Sequence, residues 1–374
     1  MRTVRRSVRR WFVSVGAAVA VIAVSVGPAA ADSFGDGGMV YTSTNSTAGN
    51  AVLAFERGDD GALEPAGSFA TGGTGTGGGL GNQGAVVLDE DGARLFAVNA
   101  GSNQITSFGV TGRGLGLLDV ASSAGNRPVS LTVHGDLLYV LNAGSDQISG
   151  FRIGGRGQLR PLAGSTRTLS GGGTDPAQVE FSPRGDLLVV TEKATNRIDT
   201  FRIRANGRPG ELDSQPSAGQ TPFGFAFDPR AHLIVSEAFG GAPNASALSS
   251  YDVPESGTIT PISPVVQTGQ TAACWVVVTR NGRFAYTTNT GSGNISSYDV
   301  SRDGSIALLE SIAADTGAGS APTDLALSRR SRHLFVLNSS ALTLGSLRVL
   351  DDGRLVPVDI AGGLPAGATG LAAS

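Results

Sequence analysis

Residues 129–151, VSLTVHGDLLYVLNAGSDQISGF, show the unit from which the chain is built. Apolar and polar residues alternate over 129–133, which predicts a β-strand with one buried face. The apolar run 137–141 is typical of a strand that is buried on both faces. A third strand follows the next turn, and the segment 157–159, Gly-Gln-Leu, opens a fourth. The unit therefore predicts a sheet of four antiparallel strands connected in order.

The third strand of this unit carries an apolar-x-x-apolar phrase that recurs along the chain, with successive copies 43 to 53 residues apart. A repeat of this length, with strand-like alternation inside each copy, indicates the blades of a β-propeller rather than helical repeats. The copies end at Phe55, Phe108, Phe151, Phe201, Tyr251, Tyr298 and Leu347. Seven copies predict an all-β fold, a seven-bladed β-propeller with four antiparallel strands per blade.

The two ends of the chain predict how the ring closes. The first unit begins at residues 39–41, which have the pattern of a second strand with no first strand before it. The tail, residues 367–372, resembles a first strand without a blade. We therefore expect the C-terminal strand to pair into blade one, because a closed ring leaves no exposed strand edge there to promote aggregation.

The first 31 residues have the composition of an export signal. A basic start that includes Arg9 and Arg10 precedes the apolar stretch 11–26, and alanines at 29–31 supply the small residues that a signal peptidase needs. A membrane anchor is the alternative, but the apolar run is short and ends at a cleavage site. We expect cleavage of residues 1–31, by the general or the twin-arginine route. Residues 32–374 are then expected to form a single propeller domain that is secreted to the extracellular space.

The net charge and composition of the chain indicate which kinds of binding partner to expect. A formal net charge of −3 indicates no electrostatic surface for nucleic acid or an anionic membrane, and we expect a monomer that binds a small-molecule ligand. Cys274 is the only cysteine, so no internal disulfide forms, and its apolar neighbours indicate a small buried hydrophobe rather than a reactive thiol. The glycine-rich run 71–79 lacks the ending of a phosphate-binding loop, which indicates a flexible connection between blades.

The fourth unit, DPAQVEFSPRGDL at 175–187 followed by VVTEK at 189–193, resembles the seven-bladed lactonase family. That family includes bacterial 6-phosphogluconolactonases and fungal carboxymuconate-lactonizing enzymes, so the resemblance implies a propeller that acts on lactones. Members typically carry Pro-Arg-His on the first strand of such a blade and Asn-Glu at the end of its second strand. Pro176 and Glu192 match this pattern, whereas Ala177 and Gln178 stand where the Arg and His would be.

A candidate site follows from the strand order, because the starts of first strands and the ends of second strands share one rim of a propeller. We predict Glu192 and Glu237, from adjacent blades, as catalytic carboxylates that meet near the axis, where one raises the pKa of the other. Lys193 is predicted to stabilise charge that develops on oxygen. The predicted substrate-binding residues are Gln178, Phe223, Trp275, Asn99, Asn142 and Asn289. The three histidines, at 134, 232 and 333, are expected on the opposite rim.

Each assignment has an alternative. The asparagines are also typical turn residues, the aromatics also suit packing between blades, and Glu192 is equally consistent with a solvated or ion-paired carboxylate. No cofactor is required, although the two glutamates could bind calcium together with neighbouring Asn oxygens. Two functions stay open, a secreted lactonase-like hydrolase of a small unphosphorylated lactone and a non-catalytic extracellular propeller that binds a ligand or protein. The whole-chain resemblance favours the enzyme, and the missing Arg and His favour the binding protein.

Overall fold

The computed structural model describes residues 37–374, in which every sheet is antiparallel and the one helix is a single 3₁₀ turn, Phe239–Gly241. Twenty-nine strands in this part of the chain form seven sheets. The all-β, seven-bladed prediction is confirmed. The predicted signal segment lies outside the described residues.

In each of blades one to four, the strands follow one another from the inner strand outward. Blade one contains β29 (Thr369–Ala373), β1 (Gly38–Ser43), β2 (Ala51–Arg57) and β3 (Leu63–Ala70). Blade two contains β4 (Val86–Leu88), β5 (Arg94–Asn99), β6 (Gln104–Thr111) and β7 (Gly114–Ser122). Blade three contains β8 (Pro128–His134), β9 (Leu137–Asn142), β10 (Gln147–Ile153), and β11 (Leu159–Pro161) with β12 (Arg167–Thr168). Blade four contains β13 (Pro176–Phe181), β14 (Leu187–Glu192), β15 (Arg197–Ile203) and β16 (Pro209–Pro216).

Blades five to seven follow the same order. Blade five contains β17 (Pro222–Phe227), β18 (Leu233–Glu237), β19 (Ala247–Asp252) and β20 (Thr260–Gln267). Blade six contains β21 (Ala273–Val278), β22 (Phe284–Asn289), β23 (Asn294–Val300) and β24 (Ile306–Asp315). Blade seven contains β25 (Pro322–Leu327), β26 (His333–Asn338), β27 (Thr343–Val349) and β28 (Leu355–Gly362). Blade three alone divides its outer strand in two, since both β11 and β12 pair with β10.

The C-terminal strand closes the ring as predicted. Strand β29 pairs with β1 in antiparallel register, with Tyr41 opposite Ala372. The backbone N–H of Ser374 also donates to the carbonyl of Met39 at 2.9 Å. Blade one is therefore assembled from the two ends of the described chain, which makes its integrity depend on the last residues.

The glycine that opens each outer strand has a packing reason. Gly353 has a φ of +84°, and a Cβ there would lie 2.5 Å from the ring of Phe284 in the preceding blade. Its carbonyl accepts a hydrogen bond from the Tyr286 hydroxyl at 2.8 Å. Tyr139 binds the carbonyl of Gly207 in the next blade in the same way, at 2.7 Å. These glycines therefore mark the points where one blade contacts the next.

The ring has two unlike faces, which we name for what they carry. The latch face holds the ends of the second strands and the starts of the inner strands. The turn face holds the turns from first to second strands, and the three histidines lie at those turns, as expected from the sequence. The described part of the chain contains no helix with the length and hydropathy needed to cross a membrane.

Candidate functional site

The side chain at the end of each second strand fastens structure around it, and we call these residues the latch residues. Asn99 accepts a hydrogen bond from the Thr71 hydroxyl at 2.6 Å, and Asn142 donates to the carbonyl of Ser123 at 3.1 Å. Both partners belong to the connection that enters the blade. The latch residues of blades two to seven are Asn99, Asn142, Glu192, Glu237, Asn289 and Asn338.

Glu192 and Glu237 occupy latch positions and are fully buried. The Glu192 carboxylate accepts from the backbone N–H of Ser170 at 3.0 Å and from its hydroxyl at 2.5 Å, and it also accepts from the Thr195 hydroxyl. Glu237 accepts from the backbone N–H of Gly219 at 2.7 Å. Both glutamates thus hold the connection that enters their own blade, as Asn99 does.

The serine hydroxyls around Glu237 complete its environment. The Ser249 hydroxyl donates to it at 2.9 Å and the Ser217 hydroxyl at 3.1 Å. Burial raises the pKa of Glu237, and these hydrogen bonds act in the opposite direction. Glu237 shares none of these partners with Glu192.

Among the described residues no hydrogen bond joins the two predicted catalytic carboxylates, and each has its own set of donors. The carboxyl group beside Glu192 is Asp199, whose pKa is raised first by burial and then by its contact with Glu192. Because Glu192 and Glu237 have zero exposure, neither reaches a ligand in this arrangement. Their catalytic role stays a prediction that would need the latch face to open.

The predicted asparagines are likewise internal. Asn289 donates to Asn294 and to Ser296, both at 2.8 Å, and Asn99 donates to Thr106 at 2.8 Å. Asn99, Asn142 and Asn289 all have zero exposure. These side chains stabilise strand ends and connections, and the structure offers no surface on which they would contact a substrate.

A short segment, residues 80–84, closes the latch face over the axis, and we call it the axial plug. It enters from the connection between blades one and two, yet the Gln83 amide donates to the carbonyl of Val276 in blade six at 2.8 Å. The backbone N–H of Val276 returns a hydrogen bond to the same amide at 3.1 Å. The backbone N–H of Gln83 donates to Ala177 in blade four at 3.2 Å. The plug therefore ties together blades that are not neighbours.

The glycine-rich run before the plug is held in place. The backbone N–H groups of Gly75 and Gly77 donate to the carbonyls of Ser46 and Asn45, both at 2.8 Å. The Asn45 amide donates to the carbonyl of Gly78 at 2.6 Å. The run is a connection between blades as expected, and these hydrogen bonds attach part of its backbone to the loop at Asn45 and Ser46.

Three residues predicted for the site do meet under the plug. The rings of Phe223 and Trp275 lie 4.9 Å apart, and the Lys193 ammonium lies 4.9 Å from the centre of the Phe223 ring. Lys193 donates to the carbonyl of Gly81 at 2.6 Å, and Trp275 donates to the carbonyl of Asn82 at 2.7 Å. The predicted aromatic floor thus exists, with the chain's own plug bound to it.

The electrostatics of this cluster favour a structural role. Lys193 lies 3.4 Å from the Asp175 carboxylate. Burial lowers the pKa of Lys193, and the Asp175 charge raises it in opposition. Cys274 is buried, and burial raises the pKa of its thiol to about 12, which fits the small buried hydrophobe expected from the sequence.

Below the plug lies an axial cavity of about 400 Å³, bordered by inner strands. It extends from Gln83 of the plug to Asp89 at the turn-face end of β4. Gln178 lines it, and its amide bonds the backbone of Phe225 in both directions, at 2.9 and 2.7 Å. The position at which the resemblance would place a histidine therefore borders the cavity.

Glu180 is a titratable group of this cavity that the sequence analysis did not identify. The Gln178 amide donates to its carboxylate at 2.7 Å. Burial raises the pKa of Glu180 to about 8, and the hydrogen bond from Gln178 acts in the opposite direction. Glu180 is half-buried, so the cavity reaches it. Its signal in the sequence was the alternation of polar Gln178 and Glu180 with apolar residues on an inner strand.

Asp324, on the inner strand of blade seven, is another carboxyl group of the cavity lining, which also includes Asp89. It is almost fully buried, one oxygen accepts from the backbone N–H of Leu325 at 2.8 Å, and the other has no hydrogen-bond partner among the described residues. Burial raises its pKa well above the ordinary value. Burial thus favours the protonated form of both carboxyl groups in this cavity.

Within residues 37–374 no three His, Cys, Asp or Glu side chains are grouped so as to hold a metal ion. The oxygens of Glu192 and Glu237 are already engaged by hydroxyl and amide donors. The geometry thus supplies no support for the calcium alternative.

Comparison with known proteins agrees with this architecture. The sequence matches the family described as Lactonase, 7-bladed beta-propeller over residues 35–170, 165–238 and 237–360. No curated protein matches the chain in sequence. A solved protein from Lactobacillus plantarum is 16% identical with a TM-score of 0.74, covering 90% of this chain and 99% of its own.

Two further solved structures carry functional descriptions. A candidate 6-phosphogluconolactonase of Bacteroides fragilis is 18% identical with a TM-score of 0.72, covering 91% of this chain and 98% of its own. The periplasmic gluconolactonase of Pseudomonas aeruginosa is 16% identical with a TM-score of 0.69, covering 89% and 98%. At such identities the structures show a shared fold, and the family match covers most of the chain. The chain belongs to the seven-bladed β-propeller lactonase family.

Proposed function

We propose that this protein hydrolyses a small unphosphorylated lactone in the axial cavity, with Glu180 as the general base. The observation that carries the proposal is a cavity-lining carboxyl group with a pKa of about 8, two residues from the position where the family pattern has its histidine. A group whose pKa lies near the working pH is suited to proton transfer.

The chemistry needs few groups. The ionised Glu180 takes a proton from water, and the resulting hydroxide attacks the lactone carbonyl. The ring C–O bond then breaks, and the proton passes from Glu180 to the departing ring oxygen, which gives an open hydroxy acid. Gln178 positions the carboxylate through its 2.7 Å hydrogen bond. A cavity of about 400 Å³ lies in the range of small-molecule sites.

The cavity lining supports an uncharged substrate. Its described residues include the carboxyl groups of Asp89, Glu180 and Asp324 and no Lys or Arg. A phosphoryl group would find no cation to pair with in that lining, and the ionised form of Glu180 that the mechanism requires would repel it. The two described relatives act on, or are candidates for, sugar lactones, and this lining favours the unphosphorylated kind here.

The test is a panel of sugar and aliphatic lactones with the wild type and with Glu180→Gln. We expect kcat/KM to rise with pH through about 8, because the base must be ionised, and to fall at least about 100-fold in the variant. Glu192→Gln is the matched control from the latch face, and its activity should persist. Loss in Glu192→Gln with full activity in Glu180→Gln would move the site back to the latch face.

A non-catalytic binding protein is the second candidate. The closed latch face favours it, and so does the presence of Ala177 and Gln178 in place of the family's Arg and His. No hydrolysis above buffer for any lactone in the panel, together with saturable binding of one of them, would establish this candidate over the enzyme.

We also propose that the protein acts outside the cell as a monomer. The composition of residues 1–31 supports export, and the net charge of −3 supports the absence of a nucleic-acid or membrane partner. Sequencing the N-terminus of the exported protein should give Asp32 first, and an N-terminus at Met1 would contradict cleavage.

A further inference from the structure

A buried pair of carboxyl groups, Glu192 and Asp199, distinguishes the latch of blade four. Asp199 lies on β15 and pairs in register with Val190, two residues before the latch residue Glu192. Four other blades carry a hydroxyl group at the position that corresponds to Asp199. These residues are Thr106, Ser149, Ser249 and Ser296, each paired with the residue two before its latch. Blade four therefore has a carboxyl group where these blades have a hydroxyl.

Blade five shows what that hydroxyl does beside a latch glutamate. The Ser249 hydroxyl donates to Glu237 at 2.9 Å. Three further groups donate to the same carboxylate, the backbone N–H of Gly219 and the hydroxyls of Ser217 and Tyr251. A carboxylate has about four lone-pair sites for hydrogen bonds. The hydroxyl on the third strand is therefore the donor that completes this latch.

Glu192 receives only three such hydrogen bonds from the chain, from the backbone N–H and the hydroxyl of Ser170 and from the hydroxyl of Thr195. Where blade five has its fourth donor, blade four has Asp199, and a carboxyl group donates only while it carries its proton. Asp199 has zero exposure. Neither of its oxygens completes a hydrogen bond with a donor of the described chain, although the Ser214 hydroxyl and the Ser170 backbone lie near it. Protonated Asp199, in contact with Glu192, is thus the form that completes the latch.

The charged side chains on the elements around the pair have partners of their own. Arg197 donates to the hydroxyl and to the carbonyl of one residue on β16, at 2.7 and 2.6 Å. Lys193 is directed toward the plug and Asp175. On blade three, Arg167 donates to two carbonyl groups of β16, and Asp146 accepts from the backbone of residues 173 and 174. The pair therefore depends on its own shared proton, rather than on a cation, to avoid two buried negative charges.

The segment that this latch fastens has little else to hold it. Glu192 binds it at Ser170, and three exposed glycines follow at 171–173. A Cβ on any of these glycines would meet no atom within 4 Å. At the far end a backbone N–H donates to Asp146 at 2.8 Å. We call residues 170–173 the glycine strap, and its closed position depends on the hydrogen bonds at its two ends.

We propose that the Glu192–Asp199 pair is a pH-sensitive latch, which releases the glycine strap when the shared proton is lost at alkaline pH. Loss of that proton leaves two negative charges in contact in a buried site, which is costly unless they separate or gain water. Because Ser170 covers Glu192 through two hydrogen bonds, opening of the strap is the movement that admits water to the pair.

The sign of the pH dependence follows from the shift of Asp199. Burial first, and the contact with Glu192 second, raise the pKa of Asp199 to about 8. This folded-state pKa lies above the ordinary value of 3.8. The stabilising contribution of the protonated pair is therefore complete below pH 3.8 and is lost as the pH rises through about 8.

The direct test is hydrogen-exchange mass spectrometry of the whole protein at about pH 6 and about pH 9.5, read as protection factors that remove the intrinsic effect of pH on exchange. We expect the protection of the Ser170 amide to fall at least about tenfold between these conditions, because each pH unit above the pKa costs a factor of ten. The Gly219 amide, which Glu237 holds in the same way in blade five, is the internal control and should keep its protection.

Two variants separate the shared proton from a general effect of alkali. Asp199→Ser gives blade four the hydroxyl of blade five, and Asp199→Asn keeps the shape of the side chain with an amide donor that does not titrate. Both should keep the protection of Ser170 at the higher pH. Unchanged protection in the wild type, the same loss in wild type and variants, or an equal loss at Gly219 would overturn the proposal. Glu180→Gln should respond as the wild type does, so failure of the lactonase proposal leaves this result separate.

Discussion

The latch face and the axial cavity contain the same kind of acidic residue in opposite situations. Glu237, on the latch face, receives hydrogen bonds from a backbone N–H and from hydroxyl groups and has zero exposure. Glu180, in the cavity, receives its hydrogen bond from Gln178 and stays partly exposed. A carboxylate surrounded by donors serves to fix the chain, whereas one with spare capacity in a cavity can exchange protons. The environment therefore indicates the role better than the residue type does.

The largest loss of stability is expected from deleting the C-terminal strand, because both the latch face and the axial cavity depend on the closed ring. Deleting residues 367–374 removes β29 and exposes the edge of β1. We expect the free energy of unfolding to fall by more than about 5 kcal/mol, with a melting temperature at least roughly 10 °C lower. Calorimetry measures this, and removal of Ser374 alone is the control, with a small effect. Unchanged melting after the longer deletion would show that the ring does not need its last strand.

The next prediction compares the effect of replacing the latch carboxylate Glu237 with the effect of replacing the cavity carboxylate Glu180. Glu237→Gln places an amide N–H₂ among groups that are themselves donors, including Gly219 and Ser249. Leaving such buried donors without an acceptor costs roughly 1–3 kcal/mol. We therefore expect urea unfolding to show a loss of about 2 kcal/mol in Glu237→Gln, with lactone hydrolysis preserved in the protein that remains folded.

Glu180→Gln, the counterpart of that variant, should alter the pH dependence of stability instead. The folded-state pKa of Glu180, about 8, lies above its ordinary value of 4.5. Its favourable contribution is thus fully present below pH 4.5 and is lost as the pH rises through 8. Wild-type protein should lose stability relative to Glu180→Gln between pH 5 and pH 8. A parallel decline in both proteins would mean that Glu180 titrates normally.

The blade architecture could be predicted from the sequence, but only part of the candidate site could, and the difference has physical reasons. Blade number, strand order and closure depend on local alternation and on a regular repeat, which are visible in one dimension. The proximity of Lys193, Phe223 and Trp275 could be predicted, because the strand order places all three on one rim of the propeller. The axial plug did not, because Gln83 reaches Val276 across the ring through a contact that no local pattern encodes. Glu192 was predicted as catalytic because of its charge, yet its side chain holds the connection that enters its blade, as Asn99 does in blade two.

The smallest expected effect concerns Lys193, whose predicted catalytic role and observed structural role give different results. Lys193→Met removes the hydrogen bond to Gly81 and the ion pair with Asp175. Loss of a buried charge also relieves its desolvation, so the net cost should be only about 1 kcal/mol.

The effect of Lys193→Met on the plug can be measured by the fluorescence of Trp275. This residue is the only tryptophan in the described chain, and its indole N–H donates to the plug at Asn82. A loosened plug should admit water, shift the emission to longer wavelength and speed hydrogen exchange at the Gln83 amide. Lactone hydrolysis should persist, since the axial cavity below is unchanged. Lys193→Arg, which keeps the charge, is the control and should retain the wild-type emission. Loss of hydrolysis in Lys193→Met with unaltered emission would instead assign Lys193 to the chemistry and return catalysis to the latch face.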